Sequence, residues 1–186
     1  MKKLIALFLA SLCLLGLVAC FPVDPGYSNT VAYAGWSDDP IIEEGSLNRK
    51  ELIQNEDGAR LPIFKIDTLE DLEQFRPKYG NVFSLDQDYN GALSFNGALA
   101  KAQWDREAFF KDNSLLAVYV PANSGSFRFG VHHVEVTDNR VCVHVVQKNN
   151  PDVVTDDMAG WFVLVEIEDK ELRSCNSFDA ILVDTE

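Results

Sequence analysis

His133, Glu135, Cys142 and His144 are all residue types that bind zinc, and they fall in one short stretch of an acidic chain. A tetrahedral zinc site needs three or four such ligands converging at about 2.0–2.3 Å, so the face each side chain takes is decisive. The stretch reads as a β-hairpin. Apolar residues alternate from Phe127 to Val136 and again from Val141, and Thr137-Asp138-Asn139-Arg140 between them suits a turn, because Asp and Asn tolerate positive φ and bond nearby backbone. A loop of either two or four residues predicts one register: Val136 opposite Val141, Glu135 opposite Cys142, Val134 opposite Val143 and His133 opposite His144. The valines then form a core stripe, and the four candidate ligands share the other face. Phe127, Phe129 and Val131 lie on the opposite parity from Val134 and Val136, so either a bulge near His132 resets the phase or both faces are covered. Two adjacent pairs on a flat ribbon do not point at one centre. The expectation is therefore two partly exposed histidines, no resident metal and no cofactor, with a zinc- or calcium-binding protein or a metal-dependent enzyme as the alternative.

Two further groups invite a chemical reading. Asp86-Gln87-Asp88-Tyr89-Asn90-Gly91, with Leu93 beyond, resembles the first eight positions of an EF-hand calcium loop: oxygen ligands at positions 1, 3 and 5, glycine at 6 and an aliphatic at 8. The twelfth position should carry a bidentate carboxylate and is Gly97, so an Asp/Asn/Gly turn explains the residues as well. Asn123-Ser124-Gly125-Ser126 could expose a serine nucleophile, but the G-x-S-x-G elbow is absent. No catalytic residue is assigned, and the chain is expected not to be an enzyme.

The elements that must position these groups follow from periodicity. Leu115 to Val120 is a continuous apolar run with β-branched or aromatic residues at 118–120, which favours a buried strand ending at Pro121. Residues 61–66, 161–167 and 180–183 read as further strands. Leu69, Leu72 and Phe75 recur at helical spacing after an N-cap at Asp67 with Glu70 three residues on, giving a helix over about 68–76 before Pro77 and Gly80. A second helix is expected from Asp105 to Asn113. Residues 36–60 read as loop with a short helix at 49–54, and Asp169-Lys170-Glu171 as a turn. The class is α+β, predominantly β: an antiparallel sheet or sandwich-like domain with two short helices.

The chain opens on Lys2 and Lys3 followed by an apolar run to Ala19 that is too short for a span of about 20 residues, so residues 1–19 read as an export signal. The run closes on Leu17-Val18-Ala19-Cys20, which resembles the lipobox of bacterial lipoproteins. That resemblance implies cleavage before Cys20 and a diacylglycerol on its sulfur. Two acyl chains at about 0.8 kcal/mol per buried CH₂ make such an anchor effectively permanent. Phe21 to Gly35 carries Pro22, Pro25 and Gly26 without periodicity, so residues 20–35 read as the lipidated cysteine and a flexible spacer, and residues 36–186 as one globular domain.

Loss of residues 1–19 from the 186-residue chain would leave 167, and removing Lys2 and Lys3 moves the formal charge from −13 to −15. Nucleic acid and anionic lipid both require positive potential, so neither is an expected partner by charge; the membrane is reached through the anchor, and a protein partner stays open. With Cys13 in the signal and Cys20 lipidated, Cys142 and Cys175 remain, and an exported chain permits one disulfide between them.

Phe109-Phe110-Lys111-Asp112-Asn113-Ser114-Leu115, then Ser124-Gly125-Ser126, and later Thr155-Asp156-Asp157-Met158-Ala159-Gly160-Trp161-Phe162 resemble a group of uncharacterised lipoproteins of gut Firmicutes. More distantly, the order of strand, small-residue turn and hairpin is similar to the C-terminal domain of the PrcB protease-complex subunit, with Gly125-Ser126-Phe127 where that domain has a Gly-Gly-Tyr-like turn. The resemblance brings no catalytic residues. What it implies is a membrane-anchored accessory or binding module of the cell envelope.

Overall fold

The continuous apolar run at Leu115 makes a strand buried along almost its whole length, because a strand covered on both faces has no reason to alternate. In the computed structural model the described residues are 27–37, 54–55, 58–102, 105–137 and 139–183. The signal segment 1–19, Cys20 and residues 49–53 of the helix expected at 49–54 lie outside them, while Gln54 is in a strand. The strands are β1 (Asn29–Tyr33), β2 (Gln54–Asn55), β3 (Gly58–Arg60), β4 (Ile63–Ile66), β5 (Asn113–Ala122), β6 (Phe129–Val136), β7 (Arg140–Gln147), β8 (Ala159–Glu168) and β9 (Ser177–Val183). The helices are α1 (Leu69–Tyr79), α2 (Phe95–Lys101), α3 (Arg106–Asp112) and α4 (Asp169–Leu172).

One sheet runs β1-β8-β5-β4 and is antiparallel throughout; the other runs β2-β3-β9-β7-β6. Side chains of β5 alternate between two cores. Leu115, Ala117 and Tyr119 join Phe162 and Leu164 against α1 and α2, while Leu116, Val118 and Val120 join Trp161, Val163 and Val165 against the second sheet. The result is three layers: helices, sheet, sheet. Phe64 is the hub of the helical side, with its ring edge-on to Phe75, Tyr79, Phe83 and Phe162 at centroid distances of 5.1–6.3 Å. Truncation there would remove a full aromatic from a close-packed cluster, typically about 3–5 kcal/mol.

The α+β, predominantly β class holds, and so does the hairpin. Val136 pairs with Val141, Glu135 with Cys142, Val134 with Val143 and His133 with His144, and the register shifts between Val131 and His133, where a bulge resets the phase. Other expectations are corrected. The stretch 20–35 is not all spacer: Asn29–Tyr33 is an edge strand paired with β8, so the domain begins before residue 36. There are four described helices rather than two, and β7 and β9 pair in parallel, so the second sheet is mixed. β2 and β3 lie in the stretch read as loop. The α1 cap is Thr68 in a reciprocal box with Asp71, one residue later than Asp67 and Glu70, because Asp67 instead accepts from Ser114 Oγ (2.7 Å) and pairs with Lys65 (2.8 Å). The helix also runs past Pro77. Tyr79 is buried on the Phe64 cluster and Gly80 N–H bonds Arg76 O at 2.8 Å, which together hold the last turn.

β1 and β8 approach closely where they leave the sheet. A Cβ on Gly160 would lie 2.1 Å from Gly35 O and 2.5 Å from Tyr119, so only glycine fits. The Tyr119 hydroxyl donates to Gly35 O (3.2 Å) and accepts from Ser37 N–H (2.9 Å), fixing the path out of β1.

Candidate functional site

The hairpin brings His133 and His144 together as its register requires. Their rings stack at 3.8 Å between centroids with 21° between planes. His144 Nε2 stands 3.7 Å from Glu135 Oε2, too long for a hydrogen bond, and is buried without a hydrogen-bond partner. Burial first, then the neighbouring imidazole (His132 for His133, His133 for His144), lowers the pKa of both histidines, with Glu135 opposing. Stacked rings turn their nitrogens past one another rather than toward a common centre. Among the described residues no group of three or more His, Cys, Asp or Glu is placed to hold a metal ion.

Cys142 and Cys175, between which the sequence permits a disulfide, are free thiols here. Cys142 alternates with Val141 and Val143 and so faces away from the core between the sheets, whereas Cys175 packs against that core. The sheet lies between them. Burial pushes the Cys142 thiol up, and Cys175 Sγ contacts Thr137 O at 3.6 Å and Glu171 O at 3.5 Å.

The acidic loop behaves as a turn. Asn90 and Gly91 take positive φ, 45° and 79°, and Tyr89 bridges to Ala92. Asp88 Oδ1 accepts from Ser94 N–H (2.7 Å), and Asp86 accepts from Asn96 Nδ2 (2.7 Å) and pairs with Arg76 (2.8 Å). Gly97, the missing twelfth ligand, lies in the first turn of α2, its N–H bonded to the Ser94 N-cap at 3.2 Å. These carboxylates are committed to the local fold.

What sequence reading treated as separate groups meets elsewhere. The turn 123–128 after β5, the 149–158 loop before β8 and Tyr89 from the acidic turn interlock at one end of the first sheet. Ser124 Oγ and Ser126 Oγ lie 3.0 and 3.2 Å from Thr155 Oγ1, and Thr155 N–H donates to Ser126 Oγ at 3.1 Å. Gly125 N–H donates to Asp157 O at 3.0 Å, and the Tyr89 hydroxyl donates to the Asp157 carboxylate. A Cβ on Gly125 would fall 2.3 Å from that hydroxyl, so glycine is what lets the turn close. Asn149 takes the Arg128 N–H (2.7 Å) and donates to Ser126 O (2.9 Å). Arg128 lies over the Trp161 ring at 4.5 Å while donating to Gly125 O (2.7 Å), and Tyr33 stacks on Tyr89 at 4.6 Å. Thr155 first, then Tyr89, holds the Asp157 carboxyl below its usual range, and the Asp157 bond raises the Tyr89 phenol. Ser124 is 2% exposed. The hydroxyls of Ser124 and Ser126 are both engaged with Thr155, so the interlock is built as a brace.

No family model, curated protein or solved structure matches the chain.

The interlock holds up an apolar apex. Val153, Val154 and Met158 are exposed on the 149–158 loop; Asp152 and Asp156, themselves exposed, bracket Val153 and Val154, and Met158 follows two residues on. The available signal was the Val153-Val154 pair among polar residues, a poor fit to a simple connection.

Proposed function

We propose that the chain is an exported lipoprotein, tethered to a membrane through Cys20, that serves the cell envelope as a non-enzymatic binding or accessory module. The observation that carries this reading is Leu17-Val18-Ala19-Cys20 at the close of a short apolar run behind Lys2 and Lys3. An aliphatic residue, a tolerant position and a small residue before the cysteine admit a peptidase, and only the thiol can take a thioether-linked lipid. Two features of the folded domain support the accessory role. Ser124 and Ser126 are engaged with Thr155 rather than with a base. The formal charge of −13 leaves little attraction for polyanions. The resemblance to envelope lipoproteins agrees with the same reading.

Metabolic labelling of the full-length chain with an alkyne fatty acid tests it. Label should enter the wild-type protein and be lost in Cys20→Ala, which should also keep its signal uncleaved by the lipoprotein route. Label retained by Cys20→Ala would refute the anchor.

A further inference from the structure

We infer that the apex of the 149–158 loop is a docking surface for a protein partner that offers an apolar cleft with a cationic rim. The large hydrophobic residues exposed among those described are Trp36 (38%), Val153 (82%), Val154 (53%) and Met158 (53%). Three of them crowd one loop, and Trp36 leaves β1 at the same end of the first sheet, where Gly35 abuts Gly160. Scattered exposed apolar residues are ordinary, but a cluster of them marks an interaction surface.

The loop is held ready. Asn149 fixes its start against Ser126 and Arg128, and Thr155 and Asp157 fix its far side against Ser124, Gly125 and Tyr89. Bracing of this kind lowers the ordering cost of association. It also keeps Val153 and Val154 from folding back onto the domain.

Charge and position select the occupant. Exposed Asp152 and Asp156 flank Val153 and Val154, and Asp156 stands two residues before Met158, so a cationic rim is complementary. A second copy meeting this one about a twofold axis would set like charges together. Anionic lipid is repelled for the same reason, and the apex lies at the end of the first sheet away from the tether. Tyr27 sits at the far end of β8, its hydroxyl donating to Glu171 Oε2 at 2.6 Å, whereas the apex precedes Ala159 at the other end. A strand of that length spans about 30 Å, and the seven residue steps from Tyr27 back to Cys20 reach roughly 25 Å at most. Tyr27, the described residue nearest Cys20 in the chain, thus stands at the end of the first sheet opposite the apex. This orientation rests on the lipoprotein reading above; the surface itself does not.

The test uses the full lipidated chain in phosphatidylcholine nanodiscs and three synthetic peptides of equal length: alternating leucine and lysine, leucine and glutamate, and serine and lysine. The leucine/lysine peptide should bind at least tenfold more tightly than either of the others. Val153→Ser/Val154→Ser/Met158→Ser should weaken it at least tenfold, and Asp152→Asn/Asp156→Asn severalfold with a flatter salt dependence. Val153→Ser alone, at the most exposed of the three positions, repeats the measurement should the triple variant melt early. Equal binding of the serine/lysine peptide, or unchanged binding by the apex variants, would overturn the docking surface. So would flotation of unlipidated Cys20→Ala protein with phosphatidylcholine/phosphatidylglycerol vesicles, or a wild-type dimer, if either were lost in the apex variants. The same peptides on the Cys20→Ala protein separate the two readings: peptide binding there supports docking whatever the fatty-acid labelling shows, and its loss there and in nanodiscs overturns docking while leaving the anchor to its own assay.

Discussion

Single residues in this protein are defined by which side of a sheet they occupy. His133 and His144 share the outer face of the β6–β7 hairpin, stacked and partly shielded, and both have lowered pKa values. As pH falls through the ordinary histidine value of about 6.5 the unfolded chain takes up protons first, so the histidine contribution to stability is complete above that value and is lost below it. Melting temperature should fall between pH 7.5 and 5.5 more in the wild type than in His133→Gln/His144→Gln. Parallel curves for the two proteins would show that the pair titrates alike folded and unfolded. The thiols make a second residue-scale case. Cys142 is buried with a raised pKa while Cys175 is half-exposed, so a thiol reagent on the native protein should modify Cys175 within minutes and Cys142 only in denaturant. Peptide mapping reads the order, and recovery of a Cys142–Cys175 disulfide would contradict the opposed faces.

At the scale of elements, the hairpin was legible because its information is local. Period-two alternation names the inward residues, and the connection between the strands is short, with Thr137 N–H bonded to Arg140 O, so Val143 could be placed opposite Val134 from spacing alone. Val143 is fully buried between the sheets, and Val143→Asp should cost on the order of 3–5 kcal/mol for an unpaired buried charge. Urea denaturation measures this directly. A change below about 1 kcal/mol would mean that the β7 stripe does not face the core. α1 was legible for a similar reason, though its cap moved one residue when Asp67 was drawn off by Ser114, a partner distant in sequence.

The whole molecule turns on β1, a five-residue edge strand inside what reads as linker. Its register with β8 places Ala32 and Tyr33 beside Phe162 and Trp161, and Ala34 N–H continues the ladder to Gly160 O at 2.8 Å. A chain beginning at Trp36 should lose that edge and expose β8, whereas one beginning at Cys20 should fold. Circular dichroism and thermal melting compare them. A cooperative melt of the shorter chain within a few degrees of the longer would show that β1 is dispensable.

The amino-acid sequence determined by itself what depends on neighbours along the chain: the buried run at Leu115, the hairpin register, and two of the helices. Period and turn chemistry are both written within a dozen or so residues. Only the tertiary structure decided that Asn29–Tyr33 is a strand, that β7 and β9 run parallel, and that Cys142 and Cys175 face opposite ways. It also decided that Tyr89, Ser124, Gly125, Thr155 and Asp157 form one brace. Each of these rests on pairing between segments far apart in the chain, where the gain comes from closing a shared core and satisfying buried polar groups, and no local pattern specifies the partner.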